Sequence, residues 1–115
     1  MTSRERQYLL DILLAAEDAS SYVSGLRFEA FVDARIVRDA VLRCLTVMGE
    51  AAGRITEESA AEIPDLPWRR MKNLRNFIVH EYEGVNMPII WGIVTEELPR
   101  VIAALDGLFP ERKTQ

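Results

Sequence analysis

The sequence predicts an all-α protein, an antiparallel up-and-down bundle of four main helices with a short extra helical turn in the connector at 54–67. Three observations carry this prediction. Apolar residues recur at three- and four-residue spacing along most of the chain. No run shows the strict alternation of a half-buried strand. Glycine and proline punctuate the pattern and leave only short connectors, which suits helices that turn back on their neighbours. With 115 residues, 49% of them apolar, the chain suits one domain over 1–110 followed by a polar tail, expected to fray, at 111–115.

Thr2 can cap the first helix, with Glu5 three residues on as its capping-box partner. Leu9, Ile12, Leu13, Ala16, Ala19 and Val23 form its apolar stripe, and Gly25 is its stop. The second helix is predicted from about Phe28 to about Gly53, with Phe31, Ala34, Val37, Val41, Leu42, Leu45 and Met48 on its apolar side. A rise of about 1.5 Å per residue makes it about 40 Å long. Gly49, near its end, costs about 1 kcal/mol against alanine; close approach of another helix and imminent termination both account for it. Thr56-Glu57-Glu58-Ser59 can start the short turn, and Pro64 and Pro67 block anything longer. The third helix is predicted from near Trp68 to about Tyr82, with Gly84 ending it. Asn86 caps the fourth, Pro88 fits its first turn, and it runs through Trp91, Val94 and Leu98 to about Leu108. Pro99 should kink it.

Several function classes are excluded or disfavoured. No apolar run can span a bilayer, and no signal-peptide pattern is present. The single cysteine, Cys44, has no internal disulfide partner and sits at an apolar helical position, so a reducing cytoplasm is the simplest setting. A net charge of −4 argues against nucleic-acid binding by the whole surface. Residues 66–80, however, carry Arg69, Arg70, Lys72 and Arg75 and no acid, so this strip is +4 and the remainder is −8. Such a strip suits local phosphate recognition, with Arg69, Arg70 and Lys72 as candidate RNA contacts. It also suits an ordinary solvated helix face.

On a wheel of about 100° per residue, Arg75 and Tyr82 are nearly in register, and Trp68, Met71, Ile78 and Val79 fall within about 60° of Arg75. Asn76 and His80, four apart, share the next stripe, and Phe77 points to the back. The helix is therefore apolar on more than one side, as for a central helix or one covered by a partner. His80 is the only histidine; a lone histidine is more often a capping or packing residue than a catalyst. Metal-ligand spacing and a nucleophile motif are both absent. The adjacent acids Glu57 with Glu58, and Glu81 near Glu83, diverge on a helix and make a poor acid–base pair. Histidine, arginine and an amide do suit RNA cleavage by the substrate's own 2′-hydroxyl. Imidazole moves protons near neutrality and guanidinium forks onto phosphate oxygens. One histidine supplies one proton-transfer group, so two chains about a twofold axis would supply the pair.

Arg75-x-x-x-x-His80-x-Tyr82, with Asn76 after the arginine, resembles the signature of HepT toxins in the HEPN superfamily. Arg43-x-Leu45-x-x-x-Gly49-Glu50-Ala51 is similar to the family's second-helix motif. Pro67-Trp68 precedes the signature helix as in the family, and Trp91 and Leu98-Pro99 are similar too. The resemblance runs over most of the chain. It implies a HEPN-like bundle that forms a homodimer and acts as the toxin of a type VII-like toxin–antitoxin system. Its activity would be that of a metal-independent RNA endoribonuclease without a cofactor. Arg75 and His80 would carry catalysis at a cleft between protomers, with Asn76 in support. The resemblance also implies a partner, an MntA-like minimal nucleotidyltransferase antitoxin that AMPylates Tyr82, placing a bulky anion beside Arg75. Other HEPN proteins are non-catalytic partner or substrate-binding subunits of nucleotidyltransferases, which is the alternative. A third reading is a structural dimer in which Arg75, Asn76 and His80 form a buried polar network.

Overall fold

The computed structural model describes residues 1–114. Its first helix, α1 (Ser3–Val23), starts on the expected reciprocal cap: Thr2 Oγ1 accepts from the Glu5 N–H at 3.0 Å, and the Thr2 N–H donates to Glu5 Oε1 at 3.2 Å. Gly25 ends the segment with φ +79, a left-handed conformation that glycine adopts without a Cβ clash. The Glu5 carboxylate does a second task. It also accepts from the Thr56 N–H at 2.9 Å and from Ser59 Oγ at 2.9 Å, so it ties the start of α1 to the 54–67 connector.

The long second helix is broken. Its residues form α2 (Phe28–Asp33) and α3 (Arg35–Gly53), and Ala34, at φ −94 and ψ 82, takes the chain out of helical geometry between them. The cause is tertiary. Phe31 is fully buried, and its ring lies 5.2 Å from that of Trp91, with Phe28 6.0 Å from the same ring. Burying one such side chain stabilises by about 1.5–3 kcal/mol. The break forfeits little in return, because the Ala34 N–H still reaches Phe31 O and the Arg38 N–H still reaches Ala34 O. Helix α3 alone has 19 residues, so it is about 28 Å long rather than 40 Å.

A single turn, α4 (Glu57–Ala60), capped by Thr56, forms in the connector as expected. Trp68 Nε1 donates to Ile63 O at 2.9 Å and closes the connector onto the start of α5 (Trp68–His80). Helix α5 stops two residues short of Tyr82. Glu81 leaves helical geometry at φ −126, ψ 35, and Tyr82–Gly84 form a separate 3₁₀ turn.

The last helical stretch has three sections: α6 (Met87–Gly92), a π-helical turn (Ile93–Glu97) and α7 (Leu98–Asp106). Asn86 caps α6 by accepting from the Ile89 N–H at 3.0 Å. The expected disturbance at Pro99 takes the form of the wider turn. Pro99 offers no N–H and its ring crowds the carbonyl four residues back; the Leu98 N–H accordingly reaches Ile93 O, five residues back. Helix α3 is flanked by α1 on one side and α5 on the other, and α7 lies on α1. The polar tail begins with a 3₁₀ turn, Pro110–Thr114, in which Arg112 Nη2 meets Glu17 Oε1 at 2.6 Å. Gln115, the end of that tail, lies outside the described residues. Among the described residues, no helix is long and apolar enough to cross a membrane.

Candidate functional site

Arg75 is seated by a glycine. A Cβ at position 49 would overlap Arg75 Cβ and stand 2.6 Å from the Met71 carbonyl oxygen. Of the two accounts of Gly49, close approach therefore holds: α5 lies directly on α3 there, and the arginine stem crosses bare backbone. The guanidinium that emerges is lightly committed. Nη1 donates to Asn76 Oδ1 at 3.1 Å, Nη2 stands 3.6 Å from the Glu50 carboxylate, and Nε is buried without a partner. An ion pair this exposed is worth about 0–1 kcal/mol, whereas a buried unsatisfied donor costs about 1–3 kcal/mol. Stability alone does not account for the arrangement. Arg75 opens onto a groove of about 460 Å³ whose other polar walls are Glu50, Arg54, Lys72 and Asn76.

His80 is the last residue of α5. It is exposed, and its side chain makes no hydrogen bond or ion pair among the described residues. Asn76, one turn earlier, is exposed as well, so the expected Asn76–His80 stripe faces outward. That geometry is incompatible with a buried polar network within one chain. Met71 and Ile78 pack inward, but Phe77 and Val79 are 48% and 49% exposed, so the far end of α5 carries uncovered apolar surface.

Tyr82 departs from the expected register with Arg75, because α5 has already ended. Its hydroxyl donates to Asp39 Oδ1 on α3 at 3.0 Å, and it borders a different depression, with Arg35, Arg38 and Val85. Partial burial, and then the Asp39 bond, push the phenol pKa up. An adduct on this oxygen would therefore stand at the start of α3 and not in the Arg75 groove.

The three candidate RNA contacts separate. Arg69 is exposed and Lys72 is half-buried in the groove wall. Arg70 turns the other way and forks onto Glu97 at 2.6 and 2.7 Å, a bond that raises its already high pKa. Arg54, just beyond α3, was not among the candidates, although it lines the groove. It is far from residues 66–80 in sequence, and only the α3–α5 packing brings it there. Cys44 is buried, and burial, with Asp18 nearby, pushes its thiol pKa up, as for an inert core thiol. Among the described residues no group of three histidine, cysteine or acidic side chains is placed to hold a metal ion.

Comparison with known proteins agrees with the motif reading. The family described as "Ribonuclease HepT-like" matches residues 12–108. A protein of Thermococcus cleftensis named "Probable ribonuclease HepT" is 32% identical over 108 residues, covering 94% of this chain and 98% of its own length. A candidate RNase of Caldanaerobacter subterraneus subsp. tengcongensis is 34% identical over 108 residues, covering 94% and 96%. A candidate RNase of Methanocaldococcus jannaschii is 32% identical over 102 residues, covering 88% and 94%. No solved structure gives a significant match. A family match over residues 12–108, with relatives at 32–34% identity across most of both chains, establishes that the chain belongs to the HepT-like ribonuclease family.

Proposed function

We propose that this protein is the toxin of a two-component toxin–antitoxin system, a metal-independent endoribonuclease whose complete site is built from the α5 strips of two chains. The observation that carries the reading is the under-committed Arg75 in its groove, with exposed His80 on the same helix. In the reaction the RNA 2′-oxygen bonds to the adjacent phosphorus and the bond from phosphorus to the 5′-oxygen breaks. One imidazole takes the 2′-hydroxyl proton, and the histidine of the second chain gives a proton to the departing oxygen. The Arg75 guanidinium stabilises the charge on the pentavalent phosphate, and Asn76 holds it by its amide oxygen. Uncovered Phe77 and Val79 beside His80 support a homodimer seam at this end of α5.

An MntA-like nucleotidyltransferase antitoxin silences the enzyme by AMPylating Tyr82. The tyrosine is 42% exposed, and Asp39, which already accepts its hydroxyl hydrogen, stands where the proton would go. The adduct would act beside His80 and the dimer seam, two residues from the histidine, and not by filling the Arg75 groove.

Purified protein should cleave single-stranded RNA in the presence of EDTA, and should leave fully 2′-O-methylated RNA intact. His80→Ala should lose about 10²–10⁴-fold in rate while remaining a dimer by light scattering. Cleavage unaffected by this change would sink the nuclease reading and leave the partner-subunit alternative. Intact mass after co-expression with the transferase tests the switch: an adenylate lost in Tyr82→Phe supports it, and an adenylate elsewhere refutes it.

A further inference from the structure

We infer that Arg54 and Lys72 form a second phosphate-binding subsite that holds the RNA backbone next to the scissile phosphate. The inference rests on the ribonuclease reading above. Helix α3 ends at Gly53, and Arg54 follows with its own N–H satisfied by the Ala51 and Ala52 carbonyls. Its side chain stands beside the C-terminal end of α3, where helix geometry alone would repel an anion, and supplies the opposite charge. Lys72 comes from α5, three residues before Arg75 and four before Asn76, so it continues their face toward the start of the helix. It lies about 4.5 Å along the axis from Arg75 and about 12 Å from His80, so it extends the groove away from the histidine, in a direction the RNA backbone can follow.

The charge pattern points the same way. The groove presents Arg54, Lys72 and Arg75 against one acid, Glu50, on a protein whose net charge is −4. Neither Arg54 nor Lys72 forms an ion pair among the described residues. The Tyr8 ring, 5.8 Å from the guanidinium carbon, braces Arg54. Arg70, by contrast, is engaged with Glu97 on another side of α5. The basic lane thus runs across two helices, through Arg54 and Lys72 to Arg75, and omits one of the arginines that sequence proximity would include.

The test uses the full chain and a fluorescein-labelled, mixed-sequence single-stranded RNA of about 20 nucleotides. Anisotropy is measured across a KCl series in an Arg54→Gln or Lys72→Gln variant that also carries His80→Ala. Each substitution should weaken binding about 3-fold and flatten the slope of log K against log salt by about 0.7, as for one lost single-strand phosphate contact. With His80 intact, KM should rise and kcat should hold. Arg54→Lys should restore the slope, and Arg70→Gln should leave it unchanged. An unchanged slope in Arg54→Gln, or an equal loss in Arg70→Gln, would overturn the subsite while leaving the nuclease standing. Arg54-dependent binding without any His80-dependent cleavage would overturn the nuclease reading, and with it the place beside a scissile phosphate, and leave Arg54 as an RNA-backbone contact of a non-catalytic subunit. Absence of salt-dependent binding by the parent protein would overturn both.

Discussion

Arg70 and Arg75 lie five residues apart on α5, and each faces a glutamate, yet they are used differently. Arg70 forks onto Glu97 at 2.6 and 2.7 Å. Arg75 stands 3.6 Å from Glu50, makes one bond to its neighbour Asn76, and keeps a buried Nε without a partner. The first has its Nε–Nη2 fork occupied within the chain, whereas the second keeps its fork available to an external anion. Charge density along a strip cannot distinguish the two; partner geometry does.

The largest expected effect follows from removing the uncommitted member. Arg75→Ala should lower the cleavage rate about 10²–10³-fold, the scale for loss of a positioned electrostatic donor. The melting temperature should hardly move, because little native hydrogen bonding is lost. Arg75→Lys should recover only part of the rate, since an ammonium lacks the planar fork. A melting temperature that falls sharply in Arg75→Ala would mean that this arginine is structural after all.

Gly49→Ala would disturb the same region through the backbone. The added methyl meets Arg75 Cβ and the Met71 carbonyl, so α5 must move off α3. Overpacking of this kind costs about 1–3 kcal/mol, and the displaced guanidinium should lose rate in the same variant. Denaturant melts and cleavage assays on one preparation would check the pairing. A stable, fully active Gly49→Ala protein would show that Arg75 needs no such seat.

These differences also explain what could be read from the sequence. Thr2 with Glu5, Gly25 and Asn86 act through neighbours three or fewer residues away, so local pattern identifies them. Gly49 was legible as a glycine that asks for a reason, but close approach and termination fitted it equally, and only the packing of α5 on α3 decides between them. Ala34 carries no breaking signal; Phe28 and Phe31 on Trp91 break the helix from outside it. Tyr82 fits the periodicity of α5 but leaves the helix, with its hydroxyl on Asp39, 43 positions earlier. The α5 residues stand out through their resemblance to a known family motif, whereas Arg54 joined the groove only through folding.

Glu5 marks the fully committed extreme and sharpens the contrast. Its bonds from Thr56, Thr2 and Ser59 hold its pKa near 2, down from an ordinary 4.5. A depressed carboxylate pKa stabilises the fold above the unfolded value, and that contribution is lost as pH falls through the folded one. Stability should therefore decline from about pH 4.5 toward pH 2. Glu5→Gln should be less stable than the parent at pH 7, with the gap narrowing over that window as the parent's own carboxyl protonates. A gap that stays constant down to pH 2, measured by urea melts, would contradict the assignment.

The smallest effect is expected at Arg70, despite its better geometry. The Arg70 and Glu97 side chains are 54% and 33% exposed, so water and salt screen their attraction. Exposed pairs contribute about 0–1 kcal/mol, and the fork places this one toward the upper end of that range. Arg70→Gln should thus lower stability by no more than about 1 kcal/mol, should lose even that difference in high salt, and should leave cleavage untouched. If cleavage falls instead while stability holds, the short Arg70–Glu97 contact would be a resting arrangement that RNA displaces. Arg70 and Arg75 would then differ in degree of commitment and not in kind. The salt dependence separates these cases, because a strut weakens the fold as it is screened whereas an RNA contact weakens binding.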